Sequence, residues 1–407
     1  MIDRLESWYA VLAEIVNRSH TASADDFVAI VSAATASRVG VHAEVYLADR
    51  PQRQLRPVRP EGGAPMPIDS TIAGRAFRLM EFTEAEELPG ERPVVWMPVL
   101  NGTERLGVIR LELPLGTDVR DGWLREQCWV LTGLVGHLMM TKFAYSDLLH
   151  RVRRPDPLTV PAELLWQLLP PQTFACHQLV ITATMEPYDR VGGDGYDYAV
   201  DARTAHLAVF DAVGHDIEAG LTCALALAAT RNARRAGAGL IEAATLADEV
   251  IRGRFDDFRF TTAVLAELDL ETGVLSYLNA GHPPPVLLRS SRVVKTLDGP
   301  ARPPLGLGHL KPETPVVRQE QLEPGDRVLL HTDGVTEARG SSGEEFGLAR
   351  LVDLTERQDG AGLPPPETLR RLTHAVLGHE TGGLQDDATL LLVEWTAGRP
   401  LDLLPHG

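Results

Sequence analysis

Cysteine is scarce, basic charge is outweighed and no long apolar run is present, and each shortage excludes a class of function. Cys128, Cys176 and Cys223 are too few and too scattered for a disulfide framework or a zinc site. They read as small buried hydrophobes. None is followed six positions later by Arg, so the loop of Cys-based phosphatases is missing. The 39 Lys and Arg residues face 56 Asp and Glu, for a formal charge of −17. A nucleic-acid backbone needs a basic footprint, and this balance lacks one. The longest apolar stretch, Trp129–Met140, contains His137 and falls short of the roughly 20 residues a membrane span needs. The N-terminus carries Asp3, Arg4 and Glu6 where an export signal would need a basic start and an apolar run. These features lead us to expect a cytoplasmic protein. No ATP-binding kinase signature is found.

Hydrophobic residues make up 44% of the chain, enough for folded cores, and 407 residues exceed what one core usually serves. Residues 1–20 recur in apolar character at helical spacing. A second helix is expected over Ala24–Val39, with Ser23 as N-cap and Gly40 as stop. A strand at His42–Leu47, a helix near Ala73–Met80 and a hairpin turning at Asn101-Gly102 follow. One long helix from Gly122 to Leu149 closes this half. The second half alternates strands with two helix pairs (Ile217–Arg235 with Leu240–Arg254, and Gly347–Arg357 with Pro366–Leu377) and ends on a strand, Ala388–Trp395. That is an α+β pattern. We expect domains at 1–150 and 173–396, with 151–172 as a helical linker.

Five segments carry the chemistry: Val191–Asp197, Val209–Asp216, Asn279–Pro285, His331–Glu337 and Gln385–Thr389. Four place an Asp at or beside a strand-to-turn junction with glycine nearby. Short carboxylates on rigid strand ends suit hard divalent cations held by oxygen. Taken singly, Asp333-Gly334 is an ordinary turn, Asp386-Asp387 a strand-entry cap and Asp194 a tight loop.

In this order and spacing the five segments resemble the PPM-type serine/threonine protein phosphatases, in particular the SpoIIE/RsbU-like branch. The layout of residues 1–150 resembles a GAF sensor domain of α/β type. The first resemblance implies a β-sandwich flanked by paired helices and two Mn²⁺ or Mg²⁺ ions per site. A water bridging the ions would attack the phosphorus. It further implies Asp194, Asp211, Asp333 and Asp386 as metal ligands, with the backbone carbonyl of Ala212 where relatives often have Gly. Adjacent Asp386 and Asp387 cannot point the same way from an extended chain, so only one reaches the cation, and Asp386 is preferred. Arg190, Asp197, His215, His282 and Asp387 are candidates for substrate contact or bracing, and the two histidines also for contact with metal. The substrate implied is a phosphorylated anti-sigma-factor antagonist, and homodimerisation and an unidentified sensor ligand are expected. A catalytically silent partner-binding module and a small-phosphoester hydrolase remain as alternatives.

Overall fold

The computed structural model describes residues 2–85, 90–154, 156–187, 189–190, 192–255, 258–299, 302–311, 315–380, 384 and 386–398. The chain divides into two compact units, Met1–Asp156 and Pro157–Leu401.

The first unit opens with α1 (Ile2–Ser19) and α2 (Ala24–Val39). The Ser23 hydroxyl accepts the N–H of Asp26 at the start of α2, and Gly40 ends it in the left-handed region at φ 67°. Strands β1 (His42–Ala48), β2 (Gln54–Pro57) and β3 (Met66–Pro67) precede α3 (Ile72–Leu79) and β4 (Thr83–Glu84). A hairpin of β5 (Val94–Asn101) and β6 (Glu104–Glu112) completes an antiparallel sheet ordered β3-β2-β1-β6-β5-β4. Its two faces carry different cores. Helices α1 and α2 cover one face through Ile15, Phe27 and Val31, together with α4 (Gly122–Phe143) through Leu131 and Val135. On the other face α3 brings Phe77 against Tyr46 and Trp96. The single helix expected over Gly122–Leu149 is in fact two. Helix α4 stops at Phe143, and α5 (Asp147–Arg153) starts afresh where Ser146 accepts the N–H of Leu149.

The second unit begins with α6 (Val160–Leu168), then β7 (Thr173–Cys176), β8 (Leu179–Glu186), β9 (Asp194–Val200) and β10 (Thr204–Ala212). Helices α7 (Ile217–Arg235) and α8 (Leu240–Arg254) follow, then β11 (Thr261–Asp269), β12 (Val274–Ala280), β13 (Val286–Arg289) and β14 (Arg292–Thr296). The chain continues through β15 (Arg318–Gln321), β16 (Arg327–His331), the one-turn α9 (Asp333–Thr336), α10 (Gly347–Gly360), α11 (Pro365–His379) and β17 (Ala388–Trp395). Five strands form one antiparallel sheet, β15-β12-β11-β10-β9, and six form another, β14-β13-β16-β17-β8-β7.

Alternation along the strands dictates how these sheets stack. In β10, Leu207 and Val209 face Leu330, Leu391 and Val393 of the other sheet, while Ala208, Phe210 and Ala212 face α7 and α8. Leu390 and Leu392 of β17 turn outward onto Leu351 of α10 and Leu369 of α11. Burying each such Leu, Val or Phe contributes about 1.5–3 kcal/mol. The result is a sandwich of two sheets with a helix pair on each outer face, as the resemblance to the PPM-type phosphatases implies.

Candidate metal centre

The alternation that packs the sandwich also carries the acidic residues to its mouth. Asp211 shares the inward face of Leu207 and Val209 but lies at the end of β10, directly across from Asp194 at the start of β9. In the other sheet β16 ends beside the start of β17, with His331 opposite Leu390. Thr332 and Asp333 therefore leave one strand where Asp386 and Asp387 enter the next. Hydrogen bonds tie the two sheets together here. Thr332 Oγ1 donates to Asp194 Oδ2 at 2.8 Å. Asp387 Oδ2 accepts the backbone N–H groups of Gly192, Gly193 and Asp194 at 2.8, 2.7 and 3.2 Å. Two glycines are required by close approach. A Cβ on Gly193 would sit 2.6 Å from the Ala212 carbonyl oxygen, and one on Gly334 would sit 2.0 Å from that of Asp387.

Electrostatic coupling runs through all the acidic residues at this mouth. Burial, then the charges of Asp387 and Asp211, hold the Asp194 carboxyl well above the usual carboxylate range. Burial, then Asp333, Asp386 and Asp387, push Asp211 up to about 8. Burial and Asp333 raise Asp386, and burial raises Asp387 against the three N–H groups that favour its charge. Asp194 and Asp387 are buried, Asp211 and Asp333 half-buried, and Asp386 exposed. Among the described residues, no three His, Cys, Asp or Glu side chains already stand as a metal-holding group. The fit to a cation lies instead in the donor chemistry. Carboxylates that raise one another's pKa, all hard oxygen donors, form a set that a divalent ion such as Mn²⁺ or Mg²⁺ would stabilise. A cavity of about 280 Å³, bordered by Gly334, Glu337, Arg339, Glu380 and Asp386, adjoins the mouth.

The other candidates separate by environment. Ala212 is buried, and its carbonyl oxygen abuts Gly193 within the mouth. Asp197 is buried on the far face of β9 and pairs with Arg231 at 2.6 Å and Arg234 at 2.8 Å of α7, away from the acidic group. Arg190 is exposed, 3.6 Å from Asp189, and its neighbour Val191 lies outside the described residues, as does Gln385. His215 is exposed and lies within electrostatic reach of Asp386. His282 is 5% exposed, and burial followed by His331 lowers its imidazole to about 3. Thr332 lay inside a segment already singled out. Thr262, Arg231 and Arg234 carried no signal, because their partners are distant in sequence.

Residues 201–396 match the family model described as Stage II sporulation protein E (SpoIIE). The match includes Asp211, His282, Asp333 and Asp386 and begins after Asp194. Protein IcfG of Synechocystis sp. is 33% identical over 137 residues, which is 33% of this chain and 20% of the relative. Phosphoserine phosphatase RsbU of Bacillus subtilis is 25% identical over 217 residues, 53% of this chain and 63% of the relative. This chain thus spans less than two thirds of either curated relative. Among solved structures, the RsbU and RsbW domains of Rv1364c from Mycobacterium tuberculosis are 27% identical with TM-score 0.48, covering 55% of this chain and 63% of that one. The SiaA-PP2C domain of Pseudomonas aeruginosa is 25% identical with TM-score 0.47, covering 53% and 85%. Among the described residues, no helix is long and apolar enough to cross a membrane.

Proposed function

Since residues 201–396 are a SpoIIE-family domain, we propose that the second unit is a Mn²⁺- or Mg²⁺-dependent phosphoserine/phosphothreonine protein phosphatase. The observation that carries this reading is the convergence of carboxylates from β9, β10, β16 and β17 on one sandwich mouth. Asp194, Asp211, Asp333 and Asp386 would hold two divalent ions, with the Ala212 carbonyl as a further oxygen. Bound there, the ions would neutralise phosphate charge and supply a nucleophile at neutral pH. Asp386 takes the ligand role over Asp387, because Asp386 is exposed while Asp387 is occupied by three N–H groups of the Gly192–Asp194 loop. Asp387 and Thr332 then orient Asp194 and hold its loop closed. The adjoining cavity offers room for the phosphorylated segment of a protein. The name of its relative, phosphoserine phosphatase RsbU, supports phosphoserine as the group acted on, and the resemblance of the branch points to an anti-sigma-factor antagonist as the protein that carries it.

The first unit, with helices on both faces of its sheet, is proposed as a GAF-like sensor. Homodimerisation is part of the same reading. The three free cysteines suit a cytoplasmic enzyme. The test is release of phosphate from p-nitrophenyl phosphate and from a phosphoserine protein, with Mn²⁺ and after EDTA. Turnover of both that vanishes in EDTA and returns with Mn²⁺ is expected. Undiminished turnover after chelation and dialysis rules out the metal-dependent reading, and turnover of the small ester alone favours a small-phosphoester hydrolase.

A further inference from the structure

His282 belongs to the one motif that the metal site leaves unused, yet the fold fixes it with unusual care. Its backbone N–H donates to Asn279 Oδ1 at 2.8 Å, and Asn279 Nδ2 donates to its carbonyl oxygen at 2.8 Å. A bridge between Gly281 and Ala263 sets this turn beside β11. The imidazole that results is buried, with Nδ1 2.7 Å from Thr262 Oγ1. Thr262 Oγ1 in turn donates to Asp211 Oδ2 at 3.5 Å, across the β10–β11 register that pairs the two residues.

We propose that Thr262 and His282 form a positioning relay that orients the Asp211 carboxylate for metal binding. The argument is one of proton bookkeeping. A carboxylate can only accept, and a threonine hydroxyl has a single proton to give. If that proton goes to Asp211, the hydroxyl oxygen must accept, and the donor available is His282 Nδ1–H. The imidazole then carries its proton on Nδ1. Nε2 is buried and makes no hydrogen bond of normal geometry, the His331 backbone being the ring's other polar neighbour, so the Thr262 end decides the tautomer. Burial keeps the ring neutral, so the relay does not change charge across the physiological range. The Asn279 clamp fixes the ring, the ring fixes the hydroxyl, and the hydroxyl selects one carboxylate orientation. Partners that orient a ligating carboxylate typically govern metal affinity by 10–100-fold. Neither residue touches substrate in this scheme.

The relay rests on Asp211 being a metal ligand, and the experiment separates the two ideas. Mn²⁺ affinity of the full chain is measured by titration calorimetry for the parent, Thr262→Val, Thr262→Ser, His282→Phe, Asp211→Asn and the Thr262→Val/His282→Phe pair. Thr262→Val and His282→Phe are each expected to weaken Mn²⁺ binding by about 10–100-fold. The double variant should lose no more than the worse single, because both break one chain, and Thr262→Ser should stay near the parent. The phosphatase rate of Thr262→Val should recover at saturating Mn²⁺, with the activation midpoint moved and the substrate KM unchanged. Thr262→Val is nearly isosteric, so it carries the test even where His282→Phe fails to fold. Unchanged Mn²⁺ affinity in Thr262→Val, alongside a clear loss in Asp211→Asn, overturns the relay alone. Additive losses in the double variant overturn it as well. If Asp211→Asn binds Mn²⁺ like the parent, the metal reading falls and the relay with it.

Discussion

Repulsion among ionised carboxylates governs what each residue at the sandwich mouth can tolerate. Asp211 is raised to about 8 by burial and by Asp333, Asp386 and Asp387 together, so its ionisation calls for a compensating cation, as does that of Asp194. Asp211→Ala and Asp333→Ala should each lower kcat by at least about a hundredfold, since each removes charge from the proposed metal site. Steady-state rates at saturating Mn²⁺ check this. Asp386 and Asp387 should part company despite being neighbours. Asp387→Ala strands three backbone N–H groups, and leaving one buried donor unsatisfied costs about 1–3 kcal/mol. Its melting temperature should fall by many degrees. Asp386→Ala should melt near the parent and lose Mn²⁺ binding. The reverse pattern would exchange their roles. The aspartates themselves were visible in the sequence through the order and spacing of the five segments, since each taken singly reads as a turn or a cap. Asp386 was already preferred as the outward neighbour, but the bracing role of Asp387 was not visible, because the Gly192–Asp194 donors come from a loop far earlier in the chain.

At the scale of elements, the strand that presents Asp194 is locked from behind. Asp197, on the opposite face of β9, receives Arg231 and Arg234 from α7 with its side chain 3% exposed. Removing one partner of such a buried pair typically costs about 3–5 kcal/mol. Asp197→Ala should therefore destabilise the fold markedly, and its surviving folded fraction should bind Mn²⁺ with the parent's affinity. Weakened Mn²⁺ binding in that fraction would instead make Asp197 part of the metal site. This pairing escapes sequence reading because Arg231 and Arg234 sit at helical spacing on a polar stripe, indistinguishable from a solvated face. Long helices were legible: α7 and α8 run over Ile217–Arg235 and Leu240–Arg254, the bounds expected from the sequence. The stop of α4 at Phe143 was missed, because the restart signal is only the Ser146-Asp147 cap inside a continuing apolar pattern. Strands β3 and β4 are two residues each and too short to show any alternation.

For the whole molecule, the question is how the first unit could set the activity of the second. A signal between two sites needs an element with two arrangements that both ends bias. The covalent route runs through α5 and α6, and α6 is well placed to act on the metal site. Its Ala162, Leu165 and Trp166 share a core with Ala219, Cys223 and Ala226 of α7. A Cβ on Gly220 would lie 3.1 Å from the Pro161 side chain and 3.2 Å from the Gly192 carbonyl oxygen. Helix α7 in turn holds β9 through Asp197, and Cys223 fills the space beside Gly195, next to Asp194. A shift of α6 is thus passed by direct packing to the strand that bears Asp194, one of the proposed metal ligands. We predict that a chain beginning at Pro157 keeps α6 and its Thr159 cap, folds with Mn²⁺, and differs from the full chain in kcat or in Mn²⁺ midpoint. Gly220→Leu, which presses on both Pro161 of α6 and the Gly192 carbonyl of the Asp194 loop, should move the full-length enzyme's Mn²⁺ midpoint. Identical kinetics, metal affinity and oligomeric state for the truncated and full-length proteins would show that the first unit does not act through this helix.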